Sequence, residues 1–299
     1  MKSLHYFFLG LFLLSFYSCV QDKEEEGDFE FKVVLQEEPD RLNPMLSQMS
    51  VATQVESHIF LPLMEYDPGN LELEPMLVET SPSIESYDED GKAYTFNIRE
   101  EASWSDGTPV TGHDYLFTVK AALNPHTKSN AWRGFLSQID SVAIDAKDDK
   151  RFVVFLEEAY LLSLPVTCNF SIYPKHYYDP DGYLDNYTLS DLKKDSIDGN
   201  AERFGQQFNQ IVYSRDSIMG SGAYRLDSWV LGQSLSLKKK NDWWGNGILE
   251  ASPDKITYLF VPDEATAITM LKSGDVDLVS SISPTVFADL KKDSAASQL

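Results

Sequence analysis

Side chains that could carry out catalysis are few and scattered in this sequence. The histidines lie at positions 5, 58, 113, 126 and 176, and no two are three or four residues apart, as a metal-binding pair on one helix face requires. The only cysteines, Cys19 and Cys168, exclude a disulfide framework and a thiolate metal cluster. No G-x-S-x-G, H-E-x-x-H, P-loop or G-x-G-x-x-G motif is present. We therefore predict a protein that is not an enzyme and that uses no metal or cofactor.

Groups suited to binding a ligand are better represented. Gly220, Ser221 and Gly222 form a permissive turn, where backbone N–H and C=O groups can approach a ligand without obstruction by side chains. We predict ligand contacts from this turn and from the adjoining Ala223. Trp132 is a further candidate, because an indole buries a large area and keeps one polar N–H. A tryptophan packed on its own subdomain is the alternative at that position.

A hairpin must hold this turn in place. Apolar and polar residues alternate over residues 224–230, which predicts a half-buried strand. The side chains expected on its buried face are Tyr224, Leu226 and Val230. A turn at Gly232 leads into a second strand over residues 234–238, and the unit ends in the aromatic pair Trp243 and Trp244. We predict that Trp243 also contacts the ligand.

A second local motif predicts a turn followed by a helix. Asp106 and Gly107 are typical turn residues. Thr111 is suited to cap the following helix, and Asp114 stands where a capping box has its acidic partner. Since the motif explains its own residue types, we interpret it as structural.

Two further segments predict the main framework. Residues 31–35 form an apolar run typical of a strand buried on both faces of a sheet. Residues 256–279 read as a β-α-β unit with a parallel strand pair, in which Asp263 caps the helix and Gly274 ends it. The pattern predicts an α/β protein.

Composition limits the partners. The chain has 299 residues, of which 42% are hydrophobic and 12% aromatic, so it can build a sizeable core. Its formal net charge of −22 argues against nucleic acid, because phosphate binding needs clustered Lys and Arg.

The N-terminus predicts export and anchoring. Residues 4–17 form an apolar run too short for a comfortable membrane span, so we interpret residues 1–19 as a lipoprotein signal peptide. Cys19 would then carry the lipid anchor, and residues 20–29 would form an acidic tether. A short signal anchor with an incidental cysteine is the alternative.

Several motifs together resemble those of a known family. The Gly-x-Gly-x-Tyr-x-Leu series over residues 220–226, Leu-Asn-Pro at 42–44 and Trp-Ser-Asp-Gly-Thr-Pro at 104–109 resemble the extracellular solute-binding proteins of family 5. These are the oligopeptide, dipeptide and nickel binders of ABC importers. The chain departs from the family pattern at Asn241, where the family has Pro, and at Trp243, where it has Tyr.

The resemblance implies a type II periplasmic-binding-protein-like fold of two lobes, with an extra α+β subdomain in the first lobe. It also implies that the loop after Leu-Asn-Pro faces the ligand cleft, which makes Ser47, Gln48, Met49 and Ser50 candidate ligand contacts. The domains expected on this basis are lobe I at 30–57 and 160–262, the inserted subdomain at 58–159, and the start of an incomplete lobe II at 263–299.

Members of this family continue well past the equivalent of residue 299, so the resemblance implies the N-terminal part of a longer protein with its second lobe truncated. We expect the segment near residue 45 and the tryptophan-rich hairpin to share one groove. We also expect these residues alone to bind peptides weakly or not at all, which isothermal titration against di- to pentapeptides would check.

The function that the resemblance implies is capture of short peptides by a monomeric, lipid-anchored subunit of an ABC importer. Its partners would be the permease and ATPase subunits and the membrane that holds Cys19, at the periplasmic face or the outer-membrane surface. A binder of nickel chelates, opines or glycans on the same scaffold is one alternative. A surface sensor or adhesion lipoprotein that lost transport is another. Neighbouring permease and ATPase genes would favour import, and a signalling or secretion gene would favour the sensor.

Overall fold

The computed structural model of the protein describes residues 29–292. The predicted signal peptide with its Cys19, the tether up to residue 28 and the last residues, 293–299, lie outside the described residues. Within the described range, none of the helices is both long enough and apolar enough to cross a bilayer.

Strands and helices alternate through most of the described chain. The strands are β1 Glu30–Leu35, β2 Met64–Tyr66, β3 Leu73–Pro75, β4 Ser83–Tyr87, β5 Gly91–Asn97, β6 Ile139–Ile144, β7 Arg151–Leu156, β8 Tyr224–Val230, β9 Ser234–Lys239, β10 Lys255–Phe260 and β11 Leu278–Val279. The helices are α1 Ser50–Glu56, α2 Gly112–Leu123, α3 Asn130–Leu136, α4 Ser163–Cys168, α5 Lys175–Tyr178, α6 Leu189–Leu192, α7 Asn200–Phe208, α8 Val212–Arg215, α9 Glu264–Ser273 and α10 Pro284–Leu290.

The central sheet has the strand order β11-β1-β10-β9-β8. Strand β1 pairs in parallel with both of its neighbours, whereas β9 is antiparallel to β10 and β8. Val34 packs with Ala267 and Val276 on one face, and Val33 and Leu35 join the main core on the other. The predicted strand buried on both faces is therefore confirmed.

The β-α-β unit forms with the predicted caps. Asp263 Oδ1 accepts the backbone N–H of Thr266 at 2.8 Å, and Gly274 closes α9 with a positive φ of 77°. Strands β10 and β11 both run parallel to β1, which lies between them, so the two strands of the predicted unit are parallel but are not direct neighbours. The boundary predicted at residue 263 falls inside this sheet.

A second sheet, fully antiparallel, has the order β4-β5-β7-β6. Helix α2 follows β5 and starts with the predicted capping box, in which the Asp114 carboxylate accepts the backbone N–H of Thr111 at 2.9 Å. The same carboxylate accepts the Trp104 indole N–H at 3.3 Å and the backbone N–H of Lys175 at 2.8 Å. Burial raises the pKa of Asp114, and these hydrogen bonds oppose the rise.

The hairpin of β8 and β9 has one irregularity. The pairing register shifts between Leu226 and Ser228, as in a β-bulge, and the faces of the strand exchange after that point. Val230, expected to be buried, is 45% exposed, which corrects the sequence interpretation. Trp229 is half-buried instead, and its indole N–H donates to Glu38 Oε1 at 2.7 Å.

One cluster of buried apolar side chains runs through both sheets. It joins Leu35 and Leu237 of the central sheet to Phe96 and Phe152 of the second sheet. The predicted inserted subdomain at 58–159 therefore shares its core with the surrounding chain.

Candidate ligand-binding groove

The loop after β1 is anchored at its centre by a buried asparagine. Asn43 is fully buried, and its side-chain oxygen accepts the Tyr173 hydroxyl at 2.8 Å and the backbone N–H of Met45 at 3.2 Å. The backbone N–H of Leu42 donates to the carbonyl of Ser214 at 2.7 Å. These bonds fix the loop against residues far away in sequence.

The predicted contact residues after this anchor differ in accessibility. Ser47 is 9% exposed, and its hydroxyl donates to Asp40 Oδ1 at 2.7 Å, so it stabilises the loop. Gln48 and Ser50 are exposed and Met49 is half-buried. Ligand contact from these four residues stays a prediction, and the last three have accessible surface with which to make it.

Trp132 lies beside this loop. Its indole N–H donates to the carbonyl of Pro44 at 2.8 Å, which ties α3 to the loop. Its ring centroid lies 6.0 Å from that of Phe135 and 6.3 Å from that of Phe170. The structure thus brings Trp132 and the Leu-Asn-Pro loop together.

Trp132 and Pro44 line one side of a groove of about 200 Å³. We call it the Trp132 groove and define it by Pro44, Glu56, Phe60, Glu65, Trp132 and Phe170. Its lining includes three aromatic side chains, two carboxylic acids and four further polar side chains, Thr53, Ser57, Asn169 and Ser171. Its composition therefore joins apolar surface with acidic and neutral polar groups.

Glu56 is the unexpected member of the groove. It is 3% exposed, and its Oε1 has no hydrogen-bond partner among the described residues. Burial raises the pKa of Glu56 to about 8, although the backbone N–H of Asn43 lowers it. Burial also raises the pKa of Glu65.

Sequence reasoning missed Glu56, although a signal was available. The buried face of α1 consists of Val51, Ala52, Val55 and Glu56. Glu56 follows Ala52 by four residues, which places it on the apolar face of the helix. A charge at such a position marks a candidate site.

The predicted contacts in the glycine turn have a different environment. Residues 220–223 are all buried, and the backbone N–H of Gly222 donates to the carbonyl of Ile59 at 2.8 Å. A Cβ added at Gly220 or Gly222 would clash with the backbone carbonyls of residues 58 and 59. Close backbone packing therefore accounts for both glycines. Ligand contact from Gly220, Ser221, Gly222 and Ala223 stays a prediction.

The aromatic pair after the hairpin completes this packing. The indole N–H groups of Trp243 and Trp244 both donate to the carbonyl of Ser221, at 2.9 and 2.8 Å. Trp243 is 6% exposed and borders a groove of about 640 Å³ shared with residues 103–107 and with three consecutive lysines, 238–240. We call this second groove the basic groove.

The two sets of predicted contacts therefore line different grooves. Trp132 and the loop at Pro44 form one, and Trp243 borders the other. Neither of these two grooves is lined by both segments, and the glycine turn packs on residues 58 and 59. A groove shared by the two segments stays a prediction.

Comparison with known proteins identifies the family. The sequence model described as "Bacterial extracellular solute-binding proteins, family 5 Middle" matches residues 72–298, which is most of the chain. The chain belongs to this family. Family 5 consists of solute-binding proteins of transport systems, as the motifs at 42–44, 104–109 and 220–226 had indicated.

Individual family 5 relatives are similar over part of their length. The periplasmic oligopeptide-binding protein OppA of Salmonella typhimurium is 28% identical over 219 residues, which are 68% of this chain and 35% of that protein. The dipeptide-binding protein DppE of Bacillus subtilis is 27% identical over 252 residues, 80% of this chain and 40% of that protein. The chain thus covers well under half the length of both relatives.

The fold of this family 5 chain also matches a solved structure. The murein tripeptide binding protein MppA of Escherichia coli superposes with a TM-score of 0.68 at 21% identity, covering 90% of this chain and 49% of that one. The predicted type II periplasmic-binding-protein fold is confirmed.

Chemistry other than binding has little support in the described part of this family 5 chain. Cys168 is buried, and burial raises the pKa of its thiol to about 12, so it is a poor nucleophile. Among residues 29–292, no group of three or more His, Cys, Asp or Glu is placed to hold a metal ion.

Proposed function

We propose that this protein is the substrate-binding component of an ABC importer, that it captures short peptides, and that it is not an enzyme. The observation that carries the proposal is the family match over residues 72–298, together with relatives named for oligopeptide and dipeptide binding. The Trp132 groove supports it, because Pro44 of the Leu-Asn-Pro loop lines this groove together with aromatic side chains.

Peptide capture can be tested by transport. A strain lacking the gene should lose uptake of labelled di- to pentapeptides, and the full-length gene should restore it. Uptake that is unchanged in the deleted strain would contradict the importer function. Mass spectrometry of ligands that co-purify with the protein would then name the cargo.

The proposal includes a place in the cell envelope. Cys19 carries the lipid anchor, residues 20–29 act as a tether, and the monomeric protein delivers its peptide to a permease and ATPase pair. Radiolabelled palmitate should label the protein but not its Cys19→Ser variant. Cys168→Ser is the matched control and should keep the label, because Cys168 is buried in the fold. Equal labelling of all three proteins would contradict anchoring at Cys19.

A further inference from the structure

Glu56 occupies an unfavourable place for a carboxylate. It is the last residue of α1, where the negative end of the helix dipole disfavours a negative charge. It is also 3% exposed, with an unpartnered Oε1 among the described residues. Buried polar atoms in native proteins are nearly always hydrogen-bonded, and an exception calls for an explanation. A missing ligand group is one such explanation, because Glu56 is among the residues that line a groove.

The surroundings of Glu56 indicate what that group is. Glu65 adds a second, half-buried carboxyl group. Trp132, Phe60 and Phe170 supply aromatic faces, which carry the negative part of the ring quadrupole and attract cations. None of the described residues that line the groove is Lys or Arg, so no side chain of the lining neutralises the two acids.

We propose that the Trp132 groove binds an organic ammonium or guanidinium group, with Glu56 as its counter-ion. The groove measures about 200 Å³, below the roughly 300 Å³ at which pockets for whole small molecules begin. It therefore holds one cationic group of a larger ligand. The proposal rests on the proposed function for the identity of this larger ligand. The ligand is a peptide, and its cationic group is a Lys or Arg side chain or the amino terminus.

A metal ion fits the groove less well than an organic cation. Calcium takes six to eight oxygen ligands and magnesium demands an octahedron of them. The lining of the Trp132 groove holds two carboxylic acids and the polar side chains of Thr53, Ser57, Asn169 and Ser171, and no group of three or more His, Cys, Asp or Glu within residues 29–292 is placed to hold a metal ion. Apolar walls suit the methylene stem of a basic side chain, which packs on apolar surface while its charged end reaches a polar partner.

Proton release gives the site a distinctive readout. Burial, with a smaller contribution from the negative charge of Asp40, raises the pKa of Glu56 to about 8 against the lowering effect of the Asn43 backbone N–H. The Glu56 carboxyl is therefore mostly protonated at pH 7. A bound cation favours the ionised form, so binding should expel a proton into the buffer.

The first test uses simple cations on the full chain. Butylammonium and butylguanidinium, titrated calorimetrically at millimolar concentration, should bind saturably, and 1-butanol should not. Heats measured in two buffers of different ionisation enthalpy should differ by the expelled proton. Glu56→Gln should weaken cation binding at least tenfold and abolish the proton release. Glu85→Gln, an exposed position on β4, is the matched control and should change neither.

Two outcomes would overturn the proposal. One is the absence of saturable binding by either cation, and the other is binding that Glu56→Gln leaves unchanged. Should Glu56→Gln fail to fold by circular dichroism, Glu65→Gln at the half-buried acid replaces it, with a several-fold loss of affinity expected. Unchanged affinity in that variant would count against the site equally.

Peptides separate this proposal from the proposed function. Three peptides differ in the cation that they present. An acetylated tripeptide containing Lys has a side-chain cation, unblocked trialanine has an amino-terminal cation, and acetyl-trialanine amide has none. A preference for one cationic peptide that Glu56→Gln removes supports the site and names the source. Equal binding of all three peptides overturns the cation site and leaves peptide capture standing. Binding of butylammonium without binding of any peptide keeps the site, and the proposed function is then decided by the uptake of labelled peptides in the deleted strain.

Discussion

The glycine turn at residues 220–223 and the Trp132 groove differ in the kind of buried polar group that each leaves without a partner. In the turn, the Ser221 carbonyl accepts two indole N–H groups and the Gly222 N–H donates to Ile59. In the groove, Glu56 Oε1 is buried and unpartnered among the described residues. The backbone groups of the turn are paired within the chain, although the buried Ser221 hydroxyl has no hydrogen-bond partner among the described residues. In the groove the unpartnered group is a carboxyl group that lies among aromatic side chains. We infer that the backbone of the turn serves to hold the fold together, and that the groove is the better place to look for a bound cation.

The largest expected effect is the pH dependence of the free energy of unfolding that the buried Glu56 causes. Its absence would contradict the contrast drawn between the two regions. The pKa of Glu56 is raised from its ordinary value of 4.5 to about 8, so between these values the folded state binds the extra proton and stability falls as pH rises. The slope is up to about 1.4 kcal/mol per pH unit, or about 4 kcal/mol from pH 5 to 8. Urea unfolding should show this slope in the native chain and its loss in Glu56→Gln. Parallel stability profiles for the two proteins would contradict a buried, unpaired Glu56.

A substitution in the glycine turn tests the other side of the comparison. Gly222→Ala places a Cβ against the backbone carbonyls of residues 58 and 59, which cannot move aside as a side chain can. We expect a loss of about 3 kcal/mol in the free energy of unfolding. Gly134→Ala, in an exposed turn of α3 with no atom near the added Cβ, is the control and should be neutral or stabilising by up to about 1 kcal/mol. Similar losses in both variants would show that the turn is not closely packed.

Removing one of the two indole donors to the Ser221 carbonyl tests whether Trp243 stabilises the fold or binds the ligand. Trp243→Phe leaves Trp244 as the remaining indole donor to the Ser221 carbonyl and removes part of a buried ring. We expect a loss of about 1–2 kcal/mol in stability, with peptide affinity unchanged. Urea unfolding should show the loss of stability, and peptide titration should show no change in affinity. A variant of native stability with weakened peptide binding would return Trp243 to the ligand site.

The smallest expected effect on stability belongs to the loop after Asn43. Gln48 is exposed and makes no side-chain hydrogen bond that holds the loop within the described structure. Gln48→Ala should change the free energy of unfolding by less than about 0.5 kcal/mol. We expect peptide affinity to fall several-fold, because Gln48 belongs to the loop whose Pro44 lines the Trp132 groove. Loss of stability without loss of affinity would contradict a ligand contact from Gln48.

Local signals in the sequence predicted much of the fold. The capping box of Thr111 and Asp114, the Asp263 cap and the Gly274 stop all formed, because each depends on atoms within a few residues. Periodicity placed β1 and the hairpin for the same reason. The family motifs predicted the fold class, which the solved relative confirms.

Features that depend on residues far apart in the sequence could not be predicted from these local signals. Strand β1 pairs Val33 with Tyr258 and Leu278, partners more than two hundred residues away, so the order β11-β1-β10 could not be read from the hydrophobic pattern. The bulge in β8 exchanged the faces of Trp229 and Val230 without a Gly or Pro to mark it. Glu56 lines one groove with Trp132 and Phe170, which are distant in sequence and come together only in the folded chain.

The most direct test compares the Trp132 groove and the glycine turn of the molecule in one NMR spectrum. The full chain, labelled with ¹⁵N at its tryptophan indoles, is titrated with a millimolar basic peptide, and single Trp→Phe variants assign the signals. The account predicts that the Trp132 indole signal shifts and that those of Trp243 and Trp244, both bonded to Ser221, stay in place. A shift of Trp243 or Trp244 with Trp132 unmoved would contradict it and move the binding site to the glycine turn.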